Sequence, residues 1–462
     1  MSFSQSASYQ LCSRPLSELA AELANGKLSD QALAEASLAN QRFCDEHLQA
    51  YQFRNEAAFL ASAGKAARLR SRGEAGPLTG LPVSVKSLFA AEGYQCYAGT
   101  KFPLPDAWQQ PGTVVTRLQQ MAAPLSGLTH ASELAFSGLG INPHWGTPRN
   151  PWDAQHHRVP GGSSAGAAIS VLCGSAQFAL GTDTGGSVRV PAALAGLPGL
   201  KLTAGRWPMD GVVPLSTHFD SLGIIARSVA DLTLVFKALD PHPAPAETGS
   251  WRFVLADSSS TETLAEPLHQ AFFAVIDTIK RAGIEVTDCA HGLFRQIRTL
   301  LREGPNTAAI ECAAFIASEI PSWRHELGPR TDVLISEGER VSAVDYLNRM
   351  KQLTAIQDYA GRRLDEDAIM LSPTTTRSAP LLSELHNNAA QASASGALLQ
   401  NTVVANICGF CALTLPCGFD DEGQPLGLQL MARGHQEHRL LAAAAQLEAC
   451  LDFRRPVPPV FA

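Results

Sequence analysis

Pro160-Gly161-Gly162-Ser163-Ser164-Ala165-Gly166 and Gly181-Thr182-Asp183-Thr184-Gly185-Gly186-Ser187 bracket the most apolar window of the chain, residues 165–180. Ser170, Gly174, Ser175 and Gln177 interrupt that window, which is too short and too broken to span a bilayer. It reads as a buried helix followed by a buried strand. Outward from it, helix-like and strand-like segments alternate. Helices are expected at 17–25, ending at Gly26; at 30–46, behind a cap at Ser29; and at 56–72, ending at Gly73. A strand at 81–85 would deliver Lys86 at its end. A helix at 113–121, strands at 179–181 and 251–256, a helix at 270–282 and a strand at 284–287 follow. Such alternation argues α/β architecture around a largely buried sheet. Residues 240–246, rich in Pro and Ala, read as a linker or a surface loop. Residues 382–395, rich in Asn, Ala and Ser, read as a loop and a candidate pocket rim.

The chemistry lies in the two bracketing loops. A serine hydroxyl is a poor nucleophile at neutral pH; it needs a base, and donors aimed at the oxygen that becomes negative. Glycines beside Ser163 and Ser187 let backbone N–H groups approach a substrate closely. Lys86, at the end of the mostly apolar Leu81-Pro82-Val83-Ser84-Val85, can be the base if burial lowers its pKa. Either loop alone reads as ordinary turn chemistry, in which the serine bonds only its own backbone. Together with Lys86 they point to acyl transfer.

The stretch from Lys86 to Asp231 resembles the amidase signature family of serine hydrolases. The resemblance is carried by Gly80-Leu81-Pro82-Val83-Ser84-Val85-Lys86, by Arg158-Val159-Pro160-Gly161-Gly162-Ser163-Ser164 and by Ala179 through Arg189. It continues through Gly199-Leu200-Lys201-Leu202-Thr203, Asp220-Ser221-Leu222-Gly223 and Ala226-Arg227-Ser228-Val229-Ala230-Asp231 to Leu426-Gly427-Leu428-Gln429-Leu430. Length alone suggests two or three domains. The resemblance instead implies one α/β/α domain over 1–462 around a mixed sheet. Within it, 1–75 would hold N-terminal helices, 76–235 the catalytic motifs, and 236–462 the rest of the sheet and the pocket-lining segments.

The resemblance also implies roles. Lys86, Ser163 and Ser187 would form the triad, with a cis Gly162–Ser163 peptide, Ser163 as proton relay and Ser187 as nucleophile. Backbone N–H groups of Thr184, Gly185, Gly186 and Ser187 would meet the oxyanion. Asp183 and Arg189 flank the nucleophile; they read as an ion pair bracing the loop, or with Arg189 gripping a substrate carboxylate. Ser164 reads as the cap of the helix that begins there. Two departures put the substrate in doubt. Ser87 stands where relatives commonly carry aspartate, and Gly127-Leu128-Thr129-His130-Ala131-Ser132-Glu133 replaces a Gly-Lys-Thr-Asn pattern. Because that segment lines the acyl pocket in related enzymes, His130 is a candidate specificity residue. Phe136, Trp145 and Trp207 hint at an aryl or alkyl amide, although a core role suits each better.

Composition narrows the partners. Net charge is −7 with no clustered Lys/Arg run, which argues against nucleic acid and against an anionic membrane surface. The polar start, Met1 to Ser8, lacks a signal pattern, so a cytoplasmic protein with free thiols is expected. Among the 10 cysteines only Cys408 and Cys411 have metal or redox spacing, and they sit in an apolar run that reads as core. His156-His157 reads as polar surface. No cofactor and no metal is expected.

Three functions compete. One is a stand-alone amidohydrolase acting on a small carboxamide. Another is the glutaminase-type subunit of an amidotransferase, or the catalytic subunit of a heteromeric hydrolase; His130 departs from the tRNA-dependent version. The third is a binding protein whose loops cradle an anion, against which no phosphate-loop pattern occurs. A homo-oligomer and a partner subunit both stay open.

Overall fold

Among the described residues of the computed structural model (2–245, 249–288 and 292–462), eleven strands share one mixed sheet. In chain order they are β1 (Tyr51–Phe53), β2 (Val83–Lys86), β3 (Leu125–Thr129), β4 (Phe178–Asp183), β5 (Gly199–Lys201) and β6 (Ser221–Ile225). Then come β7 (Arg252–Leu255), β8 (Val286–Asp288), β9 (Ala368–Pro373), β10 (Cys411–Phe419) and β11 (Pro425–Ala432). Their spatial order is β1-β3-β2-β4-β6-β5-β10-β11-β9-β7-β8. β2 runs parallel to both β3 and β4, whereas β4 is antiparallel to β6. The expected mixed α/β sheet is what the chain builds.

The window 165–180 behaves as its composition dictates. Ala165–Leu172 is a helix with all eight residues buried, and all six residues of β4 are buried. Strands covered on both faces read as continuous apolar runs, and β4 is flanked by a parallel β2. The N-terminal helices form at Leu16–Ala24, Asp30–His47 and Glu56–Ser71. Ser29 accepts the Ala32 N–H at 3.1 Å, as expected of a cap. Thr113–Gln120 is helical as expected, and the helix expected at 270–282 begins earlier, at Glu266, with Pro267 in its first turn.

Two expectations need correction. Residues 382–395 are largely not a loop: a short 3-10 turn at Leu382–Glu384 leads into a helix at Asn388–Leu399. Asn387 caps that helix by accepting the Ala390 N–H at 2.9 Å, so the Asn that suggested a loop starts a helix that alanine propagates. Ser164 occupies the N-cap position of its helix without capping it, since its hydroxyl donates to the Thr182 carbonyl at 3.4 Å. Of the expected linker at 240–246, residues 241–245 are exposed while the Asp240 carboxylate is buried against Arg206; Ala246 lies outside the described residues, as does Met1. Cys408 and Cys411 are buried in the core, and His156 is exposed while His157 is half-buried. Among the described residues no helix is long and apolar enough to cross a membrane.

Candidate active site

β2 ends on Lys86, and the parallel neighbour β4 ends on Asp183, so both strands deliver their last residues to the same edge of the sheet. The helix Ala165–Leu172 starts just after Ser163, and the Ser164 N–H donates to the Ser187 carbonyl at 3.1 Å. That bond lays the two glycine-rich loops side by side. The Gly162–Ser163 peptide is cis.

Lys86 is fully buried, and its Nζ lies 2.7 Å from Ser163 Oγ and 2.7 Å from Thr182 Oγ1. It makes no ion pair among the described residues. Burial pushes its pKa down to about 7, against the opposing charges of Asp220 and Asp183. A neutral amine is therefore accessible near neutral pH. Sequence reasoning missed Thr182; its place one residue before Asp183, on the strand parallel to β2, gave the only signal. Ser187 is 5% exposed and lines a cavity of about 370 Å³. Among the described residues its hydroxyl makes no hydrogen bond. The geometry thus closes the Lys86–Ser163 contact and leaves Ser187 Oγ facing the cavity.

The loop between Asp183 and Arg189 is held from within. Asp183 accepts the N–H groups of Gly186 at 2.8 Å and Val188 at 3.1 Å. It pairs with Arg189 at 2.8 Å, and both side chains are fully buried. Burial opposes the charge on Asp183, but the Arg189 guanidinium overrides it and holds the carboxyl well below the usual range. Arg189 spends its remaining donors on the Thr402 carbonyl, Gln429 Oε1 and Asn406 Oδ1. With Nε and Nη2 on Asp183, all five N–H donors are committed. Arg189 therefore has the geometry of a brace, not of a substrate grip.

Committing the Gly186 N–H to Asp183 removes it from the expected set of oxyanion donors. The N–H groups of Thr184, Gly185 and Ser187 donate to no protein acceptor among the described residues, and all three residues line the cavity. Gly186 still has a steric role. Its φ of +134° is one that side chains rarely adopt, and a Cβ there would fall onto Thr402 Oγ1. Thr402 Oγ1 in turn donates to the Gly185 carbonyl at 2.7 Å.

His130 does not line the cavity. It is buried, and burial pushes its pKa down to about 4 against the pull of the Trp145 and Gly146 backbone. Neither ring nitrogen reaches hydrogen-bonding geometry with a protein partner. Its backbone, by contrast, is fixed by Ala50 and Gly166. The wall of the cavity begins at Ala135, Phe136 and Ser137 and not in 127–133. Of the three candidate aromatic residues, Phe136 alone lines the cavity; Trp145 Nε1 donates to the Thr100 carbonyl, and Trp207 is core. Most of the wall comes from segments that no motif marked, including Leu301, Arg330, Arg349 and Leu353. Ser395 and Leu399 belong to the helix that replaces the expected loop, which does form a rim.

A family model described as Amidase matches residues 32–441. A 2-amino-5-chloromuconic acid deaminase from Comamonas testosteroni is 39% identical over 94% of this chain and 96% of its own length. A glutamyl-tRNA(Gln) amidotransferase subunit from Thioalkalivibrio sulfidiphilus is 30% identical, covering 97% of this chain and 99% of its own. A crystal structure of an amidase superposes with a TM-score of 0.86 at 28% identity, over 95% of this chain and all of that one. The chain belongs to the Amidase family, the amidase signature hydrolases that act on carbon–nitrogen bonds.

Proposed function

We propose that the chain is an amidohydrolase that cleaves a small carboxamide through an acyl-enzyme on Ser187. The observation that carries this reading is Lys86: fully buried, without a counter-ion among the described residues, and 2.7 Å from Ser163 Oγ. Neutral Lys86 accepts the Ser163 proton while Ser163 takes that of Ser187. Ser187 Oγ then bonds to the carbonyl carbon, and the oxyanion meets the N–H groups of Thr184, Gly185 and Ser187. One such donor is worth about 2.7–4 kcal/mol in other hydrolases. As the C–N bond breaks, the proton returns through Ser163 to the departing nitrogen. Water next attacks the ester, giving up a proton along the same path, and releases the carboxylic acid. The Ser163–Ser187 link would form around the substrate, as catalytic hydrogen bonds often tighten only there. The domain-wide sheet, built from strands between residues 51 and 432, supports reading 1–462 as one folding unit.

The second reading is a glutaminase-type subunit, favoured by the 30% identical amidotransferase relative. Ammonia release from simple amides by the purified chain, lost in Ser187→Ala, separates the two. Release without any partner supports the stand-alone enzyme, whereas silence relieved only by a partner protein supports the glutaminase-type role.

A further inference from the structure

Two arginines line the cavity without a carboxylate partner among the described residues. Arg349 is only 2% exposed, yet the one hydrogen bond it makes there runs from Nη1 to the Leu300 carbonyl at 2.7 Å. Its Nε is buried with no partner. Arg330 behaves alike: Nη1 reaches only the Asn388 carbonyl, at 3.4 Å, and its Nε is buried and unpartnered. The nearest acidic influence on Arg330 is Glu337, an exposed residue that makes no ion pair with it. Burial holds the Arg349 pKa below the ordinary arginine value, and no ion pair among the described residues offsets it.

Among the described residues only Arg189 and Arg206 are as fully enclosed as Arg349, and both are paired with carboxylates; Arg330 is half-buried. Arg189 has every donor satisfied, and Arg206 pairs with both Asp240 and Glu437. A buried guanidinium is costly unless paired, and its planar fork matches a carboxylate. Between these arginines and Ser187, the same cavity offers apolar wall from Leu334, Leu353, Val403 and Ile407.

We propose that Arg349 and Arg330 receive an ionised carboxylate of the substrate, whose apolar spacer lies against that wall while its amide meets Ser187. The substrate class is therefore a carboxylate-bearing amide, such as the monoamide of a dicarboxylic acid. This assignment rests on the acyl-enzyme reading of the same cavity. The anion completes the pairing that the protein withholds, and the free donors outnumber those that one carboxylate needs.

The test compares kcat/KM for succinic, glutaric and adipic monoamides with that for the neutral amides of matching chain length. At least one anionic amide is expected to exceed its neutral match by about tenfold or more, the ratio worth one charge-assisted contact. Arg349→Gln and Arg330→Gln should each cut that ratio about tenfold, mainly through KM, and Arg349→Lys should restore part of it. Equal rates for charged and neutral amides, or ratios unmoved by both glutamine variants, overturn the assignment and leave the amidase reading standing. Silence on every amide, with no fluorophosphonate adduct on Ser187, instead counts against the acyl-enzyme. Calorimetry with succinate, glutarate and adipate then decides the arginine site by itself. Binding that Arg349→Gln weakens about tenfold upholds it, and absence of binding to the unmodified protein overturns it.

Discussion

Asp220 Oδ1 accepts a 2.5 Å hydrogen bond from Thr184 Oγ1, tying the loop that carries Ser187 to a buried carboxylate whose charge reaches Lys86. Asp220 also accepts the N–H groups of Leu215 and Ser216, at 2.8 and 3.0 Å. Burial raises its pKa to about 6, against those hydrogen bonds. One side chain thus fixes a piece of the loop that carries Ser187 and sets part of the field around Lys86.

The consequence for pH is a signed one. The proposed base Lys86 would act only when neutral, so kcat/KM should fall as pH drops through about 7. Because the Asp220 charge favours the ammonium, Asp220→Asn should let Lys86 stay neutral to lower pH. The acid limb of the pH–rate profile should then move to lower pH in the variant. A limb that stays put, or moves to higher pH, contradicts the role assigned to Asp220.

Stability should follow the same pH direction as activity at Lys86, and the two should part only on substitution. Its pKa is about 7 when folded and near 10.5 when unfolded, so between those values only the unfolded chain holds the proton. Stability therefore rises with pH across that window, and below about 7 the buried ammonium carries its full cost. Lys86→Met removes that cost and should gain about 1–4 kcal/mol at neutral pH, as replaced buried ions often do. The gain should shrink as pH approaches 10, and turnover should vanish throughout. Urea denaturation at several pH values checks both; a variant that is less stable at every pH refutes the argument.

Ser163 should matter to rate far more than to binding. Removing a proton relay costs typically about 10²–10⁴-fold, so Ser163→Ala should lower kcat by that order while KM changes little. A fluorophosphonate should still label Ser187 in this variant, slowly, and no serine in Ser187→Ala. Mass spectrometry of the adduct reads the outcome, and a label on any other serine would falsify the nucleophile assignment.

The meeting of Lys86 with the two loops was legible because the loops 160–166 and 181–187 bracket one helix and one strand. Lys86 ends the strand beside them, so position along the chain nearly gives position in space. The cavity was not legible for the opposite reason. Leu301, Arg330 and Arg349 come from separate helices at Leu293–Glu303, Pro329–Glu339 and Ala343–Arg363, which converge only in the folded chain. No local pattern marks Arg349 as unpaired, since pairing depends on which carboxylates the fold brings near. The misread segment 382–395 has a similar origin: Asn and Ser favour both loops and helix caps, and only its packing over the cavity decides. The committed Gly186 N–H is subtler still, because the charge pattern pairs Asp183 with Arg189 and gives no sign of its backbone contacts.

That double duty of Asp183 makes the Arg189 pair a sensitive structural point near Ser187. Arg189→Leu leaves Asp183 fully buried and uncompensated, and breaking one side of a buried pair costs about 3–5 kcal/mol. Arg189→Lys keeps the charge but offers three donors in place of five, so it should recover only part of the loss. Asp183→Asn with Arg189→Leu removes both charges and should be more stable than Arg189→Leu alone, by the coupling that a double-mutant cycle measures. Its activity should nevertheless stay low, because asparagine has a single carbonyl oxygen to hold the Gly186 and Val188 N–H groups that two carboxylate oxygens now accept. A double variant that regains stability and activity together would mean that the pair, and not the Asp183 contacts to the loop backbone, sets the oxyanion geometry.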